Sequence, residues 1–352
     1  MNLPKYNATL QLLQIIGTPF DEPQVTELSN LEADKLYSIA TRNKIGLLFL
    51  ESLARFRSLY SLQSNYEQLL AKYIQLCNTA EHVGSILNMI KCNYAIIKTL
   101  MPFHAVPNDV DVLILGDDQE FKSAEKSILD STFVLLGEAP LEICFHDLRD
   151  GPHDNPSVKD PYDVDIYREV GASHVIYMDK KRLRTFVTEF RINSTKVQIM
   201  TPPAELAISI FHSIFPERMY TLMLHYQILH LLNKMTDSEF DMFVQILEET
   251  RTSKAVLYVI SITEAIQVNA FGQCPAKIKK LIDLLGSKKY ESDAVNLPYV
   301  YPLQSILKSF WYKKFDFTFT KSLLRQTMTL IKPSMAAHVI AEFSNRRSRD
   351  TY

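Results

Sequence analysis

Apolar residues recur at helical spacing through the early part of the chain. Leu36, Ile39, Ala40, Leu47, Leu50 and Phe56 follow Ser29-Asn30-Leu31-Glu32, whose serine and glutamate have the spacing of a capping box. Helical patterning continues over residues 66–100. The period then changes. Val110, Val112, Leu113, Ile114 and Leu115 build an apolar run closed by Gly116-Asp117-Asp118, the mark of a buried strand ending in a turn. A helix is expected over 118–128, strands over 131–136 and 141–145 with a break at 137–140, and another strand over 163–167. Further strands are expected over 174–178, 186–190 and 196–199. Thr201, with Pro202 at the first helical position, opens a helical remainder. Residues 287–302, rich in Tyr, Asn, Asp and Pro, read as a loop or linker. The pattern predicts an α+β chain: an N-terminal helical region over 1–90, a sheet-bearing core over 91–200 and a C-terminal helical domain over 201–352.

The chemistry concentrates at the mouth of the apolar run. Asp109 and Asp111 stand two residues apart, so on a strand they project from one face. Neighbouring carboxylates repel, and burying either alone is costly. A hard cation such as Mg²⁺ or Mn²⁺ removes that penalty through oxygen ligation. Asp163-Val164-Asp165-Ile166-Tyr167 repeats the grammar after an interval that holds a helix and a hairpin. Three acids from two neighbouring strands can hold two ions for in-line phosphoryl or nucleotidyl displacement. In that scheme Asp109 and Asp111 bridge the ions. Asp165 takes the second ion and accepts the proton of the attacking hydroxyl.

The order of an upstream lysine, an Asp-x-Asp strand and a later lone aspartate resembles the nucleotidyltransferase (polymerase-β-like) superfamily. More narrowly, Tyr94-Ala95-Ile96-Ile97-Lys98-Thr99 followed by Pro107-Asn108-Asp109-Val110-Asp111-Val112-Leu113 is similar to a branch of uncharacterised prokaryotic nucleotidyltransferase-like proteins. Val164-Asp165-Ile166-Tyr167 resembles that branch's Val-Asp-Leu-His element. The helix opening at Thr201-Pro202-Pro203-Ala204-Glu205-Leu206, with His212 inside it, resembles its Pro-Glu helix. The resemblance implies a nucleotidyltransferase-like mixed sheet flanked by helices. It also implies Mg²⁺ or Mn²⁺ at Asp109, Asp111 and Asp165, an NTP donor, and a nucleoside monophosphate passed to a hydroxyl acceptor. Lys98 and Thr99 would then present an ammonium and a hydroxyl to the donor phosphates. The chain departs from the pattern in having no glycine between Gly84 and Gly116, where superfamily members usually carry Gly-Gly or Gly-Ser for close approach to the triphosphate. Thr99 stands where the branch often has Gly, and Tyr167 where it often has His. A catalytically reduced nucleotide-binding or partner-binding module of the same fold is therefore one alternative. An Asp-x-Asp glycosyltransferase is another, although it gives Asp165 no metal role.

Composition narrows the setting. The chain has 352 residues, 47% hydrophobic and 22% charged, which is globular. Its formal net charge of −2 supplies no global attraction to nucleic acid. A local basic stretch, Lys180, Lys181, Arg182 and Arg184, is a candidate for holding RNA or a protein acceptor, and Arg346-Arg347-Ser348-Arg349 adds a basic tail. Cys77, Cys92, Cys144 and Cys274 lack metal-ligand spacing and read as buried reduced thiols. His212, His225 and His230 share one helical stretch and read as packing residues, whereas Phe103, His104 and His146 lie near the proposed site. No Gly-x-Ser-x-Gly elbow or Gly-x-x-x-x-Gly-Lys loop is present. The first residues lack a signal-peptide layout and no run reaches transmembrane length, so a cytoplasmic enzyme without membrane contact is expected.

Overall fold

The computed structural model describes residues 7–24, 28–150, 160–286 and 296–330. Helices α1 (Ala8–Ile16), α2 (Asn30–Arg42), α3 (Gly46–Arg55) and α4 (Gln63–Met89) come first. Ser29 and Glu32 form the expected capping box at the start of α2. Next come β1 (Tyr94–Ile97), β2 (Val110–Ile114), α5 (Asp118–Leu129), β3 (Phe133–Ala139), β4 (Glu142–Asp147), β5 (Asp163–Tyr167), β6 (Val170–Ala172), β7 (Val175–Met178), β8 (Val187–Ile192) and β9 (Thr195–Met200). The remainder holds α6 (Pro202–His212), β10 (Met219–Tyr220), α7 (Leu222–Lys234), α8 (Asp237–Glu249), α9 (Ser253–Phe271), α10 (Ala276–Leu285), β11 (Tyr299–Val300), α11 (Leu303–Lys313) and α12 (Phe317–Leu330). The fold is α+β. Among the described residues no helix is long and apolar enough to cross a membrane.

One expectation fails. The helical patterning over 66–100 stops at Met89, and residues 94–97 are a strand. Lys91 takes the left-handed conformation (φ 54°) while its N–H and that of Cys92 donate to the Asn88 and Leu87 carbonyls. That is a Schellman closure made by lysine instead of glycine, so no glycine marks the helix end. The predicted break at 137–140 also shifts. β3 runs on to Ala139, and the hairpin turns at Pro140 and Leu141. Of the expected loop at 287–302, residues 287–295 lie outside the described residues, and Tyr299–Val300 pairs with β10. The basic tail at 346–349 also lies outside them.

Seven strands form a mixed sheet in the order β3-β4-β5-β2-β1-β9-β8. β2 runs parallel to β5, and β1 parallel to β9, while the remaining neighbours are antiparallel. Alternation along the central strands separates two cores. Ile96, Val110, Val112, Ile114, Val164 and Ile166 pack against α4 and α5. Ala95, Ile97, Leu113 and Tyr167 face the other way, into a larger core shared with α1–α3 and the C-terminal helices. Gly84 lets α4 lie close to the sheet, because a Cβ there would stand 2.6 Å from Val197 Cγ1 and 3.1 Å from the Tyr94 hydroxyl. Both faces of β2 and β5 are therefore covered, and polar groups on them must find partners within the protein.

Candidate metal centre

Asp111 and Asp165 are direct register partners on the parallel pair β2 and β5. Neighbouring strands lie about 4.8 Å apart, so in-register side chains on one face stand side by side. Asp109 lies in the bend just before β2, two positions ahead of Asp111. One carboxylate oxygen from each of the three residues lies within 4.8 Å of the other two. Asp111 and Asp165 are buried, and Asp109 is partly exposed. Asp111 and Asp165 thus occupy the same sheet face as Leu113 and Tyr167, toward the larger core.

Lys98 is the local counter-charge. It sits just past the end of β1, not at a helix end, in the left-handed conformation with φ 54°. Its backbone N–H donates to Glu205 Oε1 of α6 at 2.8 Å. Its Nζ lies 2.9 Å from Asp111 Oδ2, 3.4 Å from His212 Nδ1 and 5.0 Å from the centre of the Tyr167 ring. Burial alone would lower the Lys98 ammonium, but Asp111, with Tyr177 and Asp109, outweighs burial and holds it above its ordinary range. Burial pushes the Tyr167 phenol well above its usual value, and the Asp111, Asp165, Glu142 and Asp109 charges push the same way. The Tyr167 hydroxyl, kept protonated, donates to Asp165 Oδ2 at 3.5 Å.

The Thr99 hydroxyl is bonded within the protein. Thr99 is buried, its hydroxyl donates to the Ile97 carbonyl at 3.0 Å, and it accepts the Asp111 N–H at 2.9 Å. The hydroxyl thus extends the β1–β2 ladder by one side chain and fixes the backbone of a metal-ligand candidate. Phe103 and His104 lie elsewhere. Phe103 packs on Tyr226 and His230, and His104 Nδ1 meets Glu51 Oε1 at 2.5 Å and packs on Tyr73. His146 is buried on β4, with Nδ1 2.9 Å from Asp163 Oδ1, and with Asp160 this pair forms a second compact cluster at the start of β5.

The basic stretch lies toward the opposite end of β2. Lys180 Nζ donates to the Ile114 carbonyl at 3.1 Å and Arg184 Nε to the Leu115 carbonyl at 2.8 Å. Arg182 donates to the Glu249 carbonyl at 2.8 Å, and Lys181 is exposed. Three of the four cations therefore cap main-chain carbonyls, and none of these three contacts is to the carboxylate cluster. The four cysteines are free thiols.

Sequence reasoning ranked His212 with His225 and His230 as a packing residue. His225 and His230 fit that description: burial pushes them down to about 3 and about 4 respectively. His212 does not. Glu205 and His212 are seven residues apart on α6, two turns along one face, and both touch Lys98. His212 Nε2 in turn lies 3.3 Å from Glu217 Oε1. Burial raises Glu205 to about 7. Burial would raise Glu217 as well, but His212, Lys44 and Lys98 hold it far below the carboxylate range. The i, i+7 spacing of an acid and a histidine was the available signal.

No family model and no curated protein matches the chain. The donor set itself fits a hard divalent cation: three carboxylates converge, and an ammonium stands against one of them where such a cation would bind.

Proposed function

We propose that this chain is a metal-dependent nucleotidyltransferase of the polymerase-β-like superfamily. It would move a nucleoside monophosphate from an NTP to a hydroxyl acceptor. The observation that carries the reading is the convergence of Asp111 and Asp165, in register on the adjacent parallel strands β2 and β5, with Asp109 just before β2. Mg²⁺ or Mn²⁺ held there supplies charge neutralisation at the reacting phosphate and the leaving group. The acceptor oxygen bonds to the α-phosphorus, the bond to the β-phosphate bridging oxygen breaks, and pyrophosphate leaves. Asp165 accepts the acceptor's hydroxyl proton. Lys98 contributes positive charge to the donor phosphates, and Glu205 fixes the backbone conformation from which it reaches them. Thr99 supports the site through the Asp111 backbone.

A second reading has one observation of its own. The Thr99 hydroxyl is already bonded on both sides, and the chain has no glycine between Gly84 and Gly116, which favours a module that binds nucleotide without turnover. Radiolabelled NTPs with Mg²⁺ or Mn²⁺, offered with tRNA and protein acceptors, separate the two. The transferase reading expects label transfer that Asp165→Asn abolishes while nucleotide binding survives. The module reading expects binding without transfer. Wild-type protein that neither transfers label nor binds nucleotide with metal overturns both.

A further inference from the structure

Lys98 holds the site in the state described, and its surroundings contain a second place for the same ammonium. Nζ touches Asp111 on one side and His212 on another, so Lys98 can leave Asp111 without movement of its main chain. That main chain is pinned, since Glu205 accepts the Lys98 N–H at a left-handed residue. A lysine ammonium carries only donors, so His212 Nδ1 must accept, and the imidazole proton must reside on Nε2. Nε2 then donates to Glu217. Glu217, His212 and Lys98 therefore form a directed chain ending on an ammonium that also neutralises Asp111. Like charges repel across Asp111, so divalent-ion binding at that carboxylate favours movement of Lys98 away from it.

Resting on the metal-site reading above, we infer that Lys98 is the resident counter-cation of the Asp109–Asp111–Asp165 cluster and that His212, backed by Glu217, receives its ammonium when metal binds. His212 and Glu217 are then positioning residues. They keep a positive charge beside the site after Asp111 is given up, where donor phosphates can use it. Glu205 sets the starting geometry for both positions.

The test is Mn²⁺ affinity of the metal-free full chain, read from the electron paramagnetic resonance signal of free Mn²⁺ without nucleotide. Lys98→Met removes the competing ammonium and tightens Mn²⁺ by about tenfold or more. His212→Phe keeps an aromatic ring and adds no charge, but removes the acceptor. It weakens Mn²⁺ by roughly five- to tenfold, because a displaced Lys98 loses its cradle. His212→Asn, which restores an acceptor near the Nδ1 position, recovers most of that loss. In a Lys98→Met background His212→Phe has no effect, whereas a purely structural role for His212 weakens Mn²⁺ in both backgrounds. The inference is overturned if Lys98→Met binds no tighter than wild type, or if the His212→Phe loss persists without Lys98. Failure of the metal-site reading looks different: neither wild type nor Lys98→Met then shows saturable Mn²⁺ binding that Asp165→Asn removes.

Discussion

Replacing Thr99 by valine distinguishes a structural hydroxyl from a substrate-facing one. Valine matches threonine in shape, so no cavity opens and the χ1 preference is kept. What changes is the hydroxyl between Ile97 and Asp111, which donates to one strand and accepts from the other at 3.0 and 2.9 Å. The Asp111 N–H is then left buried without that acceptor, and an unmade hydrogen bond of this kind costs about 1–3 kcal/mol. The Ile97 carbonyl loses a donor, which adds a smaller cost. A net loss of about 2 kcal/mol follows, and the unfolding entropy of a chain this long converts it to a fall of about 3 °C in Tm. Thr99→Ser keeps the hydroxyl and loses one methyl, worth about 0.8 kcal/mol. Thermal unfolding of the three proteins with no ligand present is the assay. Valine should be the least stable and serine intermediate. A valine variant as stable as wild type, with reduced nucleotide binding, would refute the structural assignment and restore the phosphate role.

Three further outcomes are expected. Lys98→Ala should weaken binding of an NTP–Mg²⁺ complex by about 1.5–3 kcal/mol, measured by calorimetry, since a charge-assisted contact is lost; unchanged affinity would remove Lys98 from the donor site. Glu205 is raised in the folded state, so its ionisation opposes folding and the associated stability is lost as pH rises from its unfolded value through about 7. Glu205→Gln still accepts the Lys98 N–H, and its stability relative to wild type should improve over that pH window by about 1–2 kcal/mol once partial exposure is allowed for; a pH-independent difference would contradict this. Gly84→Ala gains up to about 1 kcal/mol of helix propensity but drives a methyl into Val197 and the Tyr94 hydroxyl, so chemical denaturation should reveal a net loss of roughly 1 kcal/mol rather than a gain.

The carboxylate arrangement was legible because strand periodicity needs no tertiary information. Two acids at i and i+2 share a face, and a matching acid in an apolar pentapeptide belongs on a neighbouring strand. The start of α6 was legible for a similar reason, since Pro202 at the first helical position declares it. The end of α4 was not, because Lys91 closes the helix in a conformation that sequence readers assign to glycine. The hydrogen bonds of Thr99 were not legible for want of register: nothing local says that its hydroxyl falls opposite the Asp111 N–H. The basic stretch after β7 is a candidate for holding RNA or a protein acceptor, and the sequence does not show that Lys180 and Arg184 reach the carbonyls at the end of β2. Charge sign is local, whereas the group that satisfies it is set by packing.

The central claim is that Asp109, Asp111 and Asp165 hold divalent metal. Crystals soaked with Mn²⁺ and a non-hydrolysable NTP, measured at the manganese absorption edge, test it most directly. The account predicts anomalous density among these three side chains, with oxygen ligands at about 2.1–2.2 Å from the ion. It also predicts Lys98 drawn away from Asp111 and phosphate oxygens completing the coordination. Manganese found only at His146, Asp160 and Asp163, or no anomalous density beside Asp165 at saturating Mn²⁺, would contradict it.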